Sequence, residues 1–160
     1  MSLALVSEAF EPGGAIPSRH TCDGEDSSPP LSWTGVPPNV SVFALIMELA
    51  IDEPDFLREV LVYWLLFNIP ADVHQFANGM PAVPFLEDGT VQALNDFGRI
   101  GYSGPCPPPG QLHHYRFTLY ALETPLNLDA SNSKSQVYDA MVGQILDQAE
   151  LMGTYQRIFR

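Results

Sequence analysis

The chain has 160 residues, 46% of them hydrophobic and 16% charged, enough for one domain with its own hydrophobic core and too few for two, so residues 1–160 are read as a single unit. Its 7 basic and 19 acidic residues give a formal charge of -12, which repels phosphodiester backbones and anionic bilayers and argues against nucleic acid as a partner. The 15 prolines and 12 glycines are spread among apolar segments, a pattern of short strands joined by many loops, so a β-rich fold is expected.

In chain order, residues 10–33 show little periodicity and read as a long loop region. Asp23 and Gly24, then Ser28, Pro29 and Pro30, mark turns before Leu31 and Trp33 share one face of an extended segment. Residues 40–47 are rich in β-branched and aromatic side chains and follow Pro37, Pro38 and Asn39, so they read as a strand entered from a turn. Residues 60–69 form a second strand with two apolar faces. Strict alternation places Leu61, Tyr63, Leu65 and Phe67 on one side and Val60, Val62, Trp64 and Leu66 on the other. This run is interrupted by Tyr63 and Asn68, so it is not a membrane span, and no leader pattern precedes the domain; a soluble cytoplasmic protein without stable membrane insertion is expected.

A third strand is expected over residues 113–122. His113, Tyr115, Phe117, Leu119 and Ala121 share one face, while His114 and Arg116 on the other face are expected to point outward. Residues 133–142 carry the helix signature, with serines as caps and Gly143 as the stop. On propensity, residues 145–155 either continue that helix or return as a strand.

The densest unusual segment is residues 95–115, NDFGRIGYSGPCPPPGQLHHY. Its glycines permit close backbone approach and its prolines restrict the chain, so a rigid loop leads directly into His113 and Tyr115. Such a loop can set backbone donors, an imidazole and a phenol around a small ligand with little ordering cost. Cys22 and Cys106 are too few for a disulfide framework and are expected as thiols, with one bridge open to them only if their loops meet. His20, Cys22, Cys106 and His113 are soft ligands whose spacing matches no zinc pattern, so neither metal nor cofactor is expected.

The NDFG, GY, GPCPP and HxY elements resemble the signature region of phosphatidylethanolamine-binding proteins, in particular their bacterial and archaeal Raf-kinase-inhibitor-like group. CDGEDSSPPLSW at residues 22–33, FALIM at 43–47, NIPA at 68–71, FTLYAL at 117–122 and AELMGTY at 149–155 extend the resemblance. It implies an antiparallel β-sandwich with a short helix near the C-terminus, residues 145–155 as a strand, and a pocket for phosphate-like or other small oxyanions. The site residues it implies are His113 and Tyr115 as the HxY pair and Gly104, Pro105 and Pro107 in the pocket-forming loop. It also implies a protein target, a kinase or protease held in check, and self-association as a homodimer.

Two departures from the family pattern stand out. Where the family carries His-Trp, this chain has Tyr63 and Trp64, so a hydrogen-bond donor remains but no base or cation near neutral pH. The family's DPDAP segment aligns either with Glu48 and Leu49 or with Glu53, Pro54 and Asp55. Glu53 is the better pocket candidate because the acid-Pro-Asp order is kept there, in a rebuilt stretch between Met47 and Val60. A binding protein rather than an enzyme is expected. The alternative is a weak hydrolase or transferase working through the His113 and Tyr115 pocket, with Cys106 as nucleophile, although no nucleophile elbow, Walker loop, dinucleotide fingerprint or HExxH helix is present.

Overall fold

A computed structural model describes residues 2–50 and 61–157. The strands are β1 (Ala4–Val6), β2 (Leu31–Thr34), β3 (Val42–Ala50), β4 (Val62–Pro70), β5 (Gln75–Phe76), β6 (Val91–Gln92), β7 (Leu112–Leu122) and β8 (Ile145–Gln156), with helix α1 (Lys134–Met141) before the last. They form two antiparallel sheets, one of order β1-β2-β5 and one of order β6-β4-β3-β7-β8. This is the mainly β sandwich expected, with its single described α-helix near the C-terminus.

The central strands are apolar on both faces because the five-stranded sheet is buried on both. Between the sheets, Leu5, Trp33, Phe43, Leu45, Trp64, Phe76, Phe117 and Leu119 form the main core. On the opposite face a second core gathers Ala44, Ile46, Leu65, Phe67 and Leu122 under Val137 and Met141 of α1. The outward-facing row of β7 therefore does not lie open to water. His114 is exposed as expected, but Thr118 is buried and half-buried Arg116 pairs with Glu48 at 3.2 Å, which also accepts the Tyr138 hydroxyl at 3.0 Å. The helix supplies the second layer, which alternation along one strand cannot reveal.

Helix α1 begins with a reciprocal cap: the Gln136 N–H donates to Ser133 Oγ at 3.3 Å, and the Ser133 N–H donates to Gln136 Oε1 at 2.9 Å. Gly143, at φ +80°, adopts the left-handed conformation that ends the helix and turns the chain into β8. β8 then pairs with β7 from Leu112↔Gln156 to Leu122↔Ile145. Part of its far edge is covered by residues 13–16, where Ile16 N–H donates to the Thr154 carbonyl at 2.7 Å and Thr154 N–H donates to that of Gly14 at 2.9 Å.

The ladder between β3 and β4 is irregular at two places, and the one near its end shapes the site. Along β3, Met47 faces Trp64 while the next residue, Glu48, faces Val62, so Tyr63 is an extra residue on β4. This bulge places Tyr63 and Trp64 together in the main core, instead of on opposite faces as regular alternation predicts.

Candidate functional site

The bulge turns Tyr63 toward a cavity of about 240 Å³ lined by Cys22, Asp26, Tyr63, Phe97, Arg99, Ser103, Gly104 and Cys106. Its walls come from residues 18–28 and 95–107, parts of the two irregular segments 10–33 and 95–115 read from sequence, clasped against the end of the five-stranded sheet.

The first segment is organised by His20, which is fully buried. Its Nδ1 meets the Ser27 carbonyl at 2.8 Å and its Nε2 meets Arg19 Nε at 3.1 Å, so the imidazole donates through Nδ1 and accepts through Nε2. Burial pulls its pKa below the ordinary 6.5, against the smaller opposing effect of the Ser27 bond. With both nitrogens engaged, His20 builds the loop and is not available as a metal ligand.

The second segment is organised by Asn95, buried at the start of NDFG. Its Oδ1 accepts the Phe97 and Arg99 N–H groups at 2.9 and 3.2 Å. Its Nδ2 reaches the carbonyls of Tyr63 and Gly101 at 3.2 and 3.1 Å and Ser103 Oγ at 2.9 Å. One side chain thus folds the turn and fixes it to the bulge. The neighbouring Asp96 ties the same turn to the strand and the helix, accepting Val62 N–H at 2.6 Å and Lys134 Nζ at 2.7 Å.

The two segments are then joined across the cavity. Gly104 N–H donates to Asp26 Oδ1 at 2.8 Å, Tyr102 Oη–H to the His20 carbonyl at 2.7 Å, and Cys22 N–H to the Pro105 carbonyl at 3.2 Å. Gly104 is the point of closest approach: a Cβ there would lie 2.2 Å from the His20 carbonyl oxygen and 2.4 Å from Asp26 Oδ1. A disulfide between Cys22 and Cys106, with Cα atoms 5.4 Å apart, completes the junction. The loops do meet, so the expectation of free thiols is corrected, and Cys106 cannot serve as a nucleophile while its sulfur is bridged.

The residues singled out from sequence occupy three kinds of place. Tyr63 and Gly104 line the cavity directly. Tyr115 is fully buried, its ring edge-on to Tyr63 with centroids 5.3 Å apart, and His113 stands next along β7, its ring 6.4 Å from that of Tyr115 and its Nε2 3.3 Å from Gln111 Oε1. Neither His113 nor Tyr115 lines the cavity: Tyr115 packs on Tyr63, which does, and His113 packs on Tyr115. Pro105 and Pro107 are buried within the loop and shape it without lining the cavity. Glu53, the carboxylate expected at the pocket, lies outside the described residues.

Electrostatically the cavity combines neutral donors with one arginine and one carboxylate, Asp26. Burial pushes the phenols of Tyr63, Tyr102 and Tyr115 above their ordinary value, so all three remain protonated near neutral pH. The Tyr115 and Tyr63 hydroxyls interact, but no described residue makes a hydrogen bond of ordinary geometry to the Tyr115 hydroxyl. Arg99 was not singled out from sequence, yet its position does carry a signal: a lone arginine inside a glycine-rich run, in a chain with only 7 basic residues. Among the described residues Arg116, Lys134 and Arg157 pair with carboxylates and Arg19 donates to His20, whereas Arg99, one of the residues lining the cavity, has no described side-chain partner. The Asp26 carboxylate stands on the same wall, where it accepts the Gly104 N–H.

Compared with known families, the chain matches one, phosphatidylethanolamine-binding protein, over residues 6–156. It is 48% identical over 153 residues to a UPF0098 protein of Methanothermobacter thermautotrophicus, covering 96% of this chain and 98% of that one. A UPF0098 protein of Aquifex aeolicus is 39% identical, covering 97% and 89%. Among solved structures, a phosphatidylethanolamine-binding protein homologue from Chlamydia trachomatis superposes with a TM-score of 0.84 at 38% identity, covering 98% of each chain. YbcL of E. coli, a member of the mammalian PEBP family, gives 0.84 at 30% identity, covering 98% and 99%.

Proposed function

Since the chain belongs to the phosphatidylethanolamine-binding protein family, we propose that it binds a small phosphorylated or oxyanion ligand in the cavity between residues 18–28 and 95–107, and through that binding regulates a protein target such as a kinase or protease. The observation that carries this reading is Arg99. In a chain with a formal charge of -12, an arginine at a cavity wall whose side chain pairs with no carboxylate among the described residues is suited to an anion from outside.

The neutral donors support the same reading. Tyr63 and Ser103 Oγ line the wall, and the Ser103 hydroxyl accepts from Asn95, which leaves its proton to donate. Tyr115, set against Tyr63, holds a buried hydroxyl that makes no hydrogen bond of ordinary geometry to a described residue. A cavity of about 240 Å³ accommodates a phosphomonoester headgroup and not a lipid's acyl chains. Among the described residues no helix is long and apolar enough to cross a membrane.

The test is a titration of isotope-labelled protein with inorganic phosphate and with phosphoethanolamine, followed by the amide and ring resonances of Gly104, Arg99, Tyr63 and His113. Saturable shifts confined to these residues, lost in Arg99→Gln, are expected. No response at millimolar concentrations of either compound refutes the ligand reading.

A further inference from the structure

The Cys22–Cys106 bridge stands at the boundary of the cavity and the solvent. Both cysteines line the cavity and both are exposed. Disulfides that serve only stability are commonly buried and resist thiols, whereas an exposed one is open to the in-line approach of a thiolate and is the kind that exchanges. The bridge also spans 84 residues of sequence and connects the two segments that form the cavity walls. Without it those walls are held together by three hydrogen bonds, from Gly104, Tyr102 and Cys22.

The charges around the bridge are asymmetric. Arg157 Nη1 lies 4.0 Å from Cys106 Sγ, and the same guanidinium is held by Asp23, with Nη2 3.1 Å from Oδ1. Tyr155 Oη–H also donates to Asp23. Asp23, adjacent to Cys22, thus anchors Arg157 beside the sulfur of Cys106. A cation at that position stabilises a thiolate on Cys106, which makes it the better leaving group, while the Asp23 carboxylate beside Cys22 gives no such help to the other sulfur.

We propose that the Cys22–Cys106 disulfide is a thiol-exchangeable clasp, opened by a dithiol reductant to loosen the cavity walls and closed again by the reverse exchange with a small-molecule disulfide, which takes up the two electrons. A thiolate of the dithiol attacks Cys22 Sγ; a mixed disulfide forms there, the Cys22–Cys106 bond breaks, and its electron pair leaves on Cys106 Sγ facing Arg157. The second thiol of the reductant, deprotonated, attacks its own sulfur in the mixed disulfide and expels Cys22 as thiolate. The reductant leaves as its disulfide, oxidised by two electrons. The protein is reduced by two, and the two protons lost from the dithiol complete the two protein thiols. The effect on affinity rests on the ligand reading above, whereas the opening of the walls does not, and the two are measured separately.

Folded full-length protein is treated with dithiothreitol without denaturant, thiols are counted with a chromogenic disulfide reagent, and amide hydrogen exchange is read at Cys22 and Gly104. Release of two thiols, with exchange at those two amides faster by about tenfold or more and reversed on reoxidation, is expected. Arg157→Gln slows thiol release by about three- to tenfold. The Cys22→Ser, Cys106→Ser double variant reproduces the reduced state and no longer responds to dithiothreitol. In parallel, phosphate binds the oxidised form at least about tenfold more tightly than the reduced form, the cost of ordering two loops on binding. Thiols that appear only in denaturant, or unchanged exchange at Cys22 and Gly104 after reduction, overturn the clasp. Loosened amides with no phosphate binding in the oxidised form uphold the clasp and refute the ligand reading instead.

Discussion

Replacing Tyr115 by phenylalanine separates a side chain kept for function from one kept for stability. The hydroxyl is buried, and its contact with the Tyr63 hydroxyl falls short of ordinary hydrogen-bond geometry. An unsatisfied buried hydroxyl costs roughly 1–3 kcal/mol of folding free energy, and deleting the oxygen leaves a void worth only about 0.3 kcal/mol. The ligand-free variant should therefore be more stable by about 1 kcal/mol, or about 2–4 °C in Tm for a chain of this size. If the hydroxyl serves an anionic ligand, the variant loses a hydrogen bond to a charged group, worth about 1.5–3 kcal/mol, and affinity falls about 10- to 150-fold. Urea unfolding and phosphate titration of the same samples read both quantities. A variant destabilised by more than about 1 kcal/mol would show that the hydroxyl is already satisfied in the native state, and would refute its being held in reserve for a ligand.

Other expectations rest on the same contacts. Arg99→Gln should change folding stability by less than about 0.5 kcal/mol, since its exposed side chain has no described partner, yet weaken phosphate by about tenfold; equal affinity in calorimetry would remove Arg99 from the site. Gly104→Ala should cost about 3 kcal/mol, because its Cβ would lie 2.2 Å from a backbone oxygen that cannot easily yield, and denaturant melts showing wild-type stability would contradict that closeness. Burial holds His20 below the ordinary 6.5, so the unfolded chain takes up a proton near that pH and the native chain only at lower pH. The stability His20 confers is thus complete above about 6.5 and declines as the pH drops below it, down to the native value. Tm measured from pH 8 to 5 should show this decline, and His20→Gln should remove it.

The parts of the molecule legible in the sequence are those with a local cause. Alternation locates β3, β4 and β7, and Ser133 with Gly143 bounds the helix. β8 is undecided between helix and strand on propensity and is settled only by resemblance, because what makes it a strand is its pairing with β7 across the intervening helix, a tertiary contact. The bulge at Tyr63 is hidden from sequence since it depends on a register set by β3, and no residue within β4 announces it. The disulfide is out of reach for a similar reason: 84 residues separate its cysteines, and only the packed loops bring them together. Arg99 is overshadowed by the glycines and prolines around it. Its significance lies in which carboxylates the other cations meet, a property of the folded arrangement.

The cross-link between Cys22 and Cys106 also makes a closed covalent ring of the chain between them, and that ring carries β2 through β6. A protease that cuts once anywhere inside it produces two fragments that remain a single molecule until the bridge is reduced, so nicked protein migrates as intact on a non-reducing gel. Each remnant stays tethered to the partner strands it must find, and a severed chain can reassemble without depending on concentration.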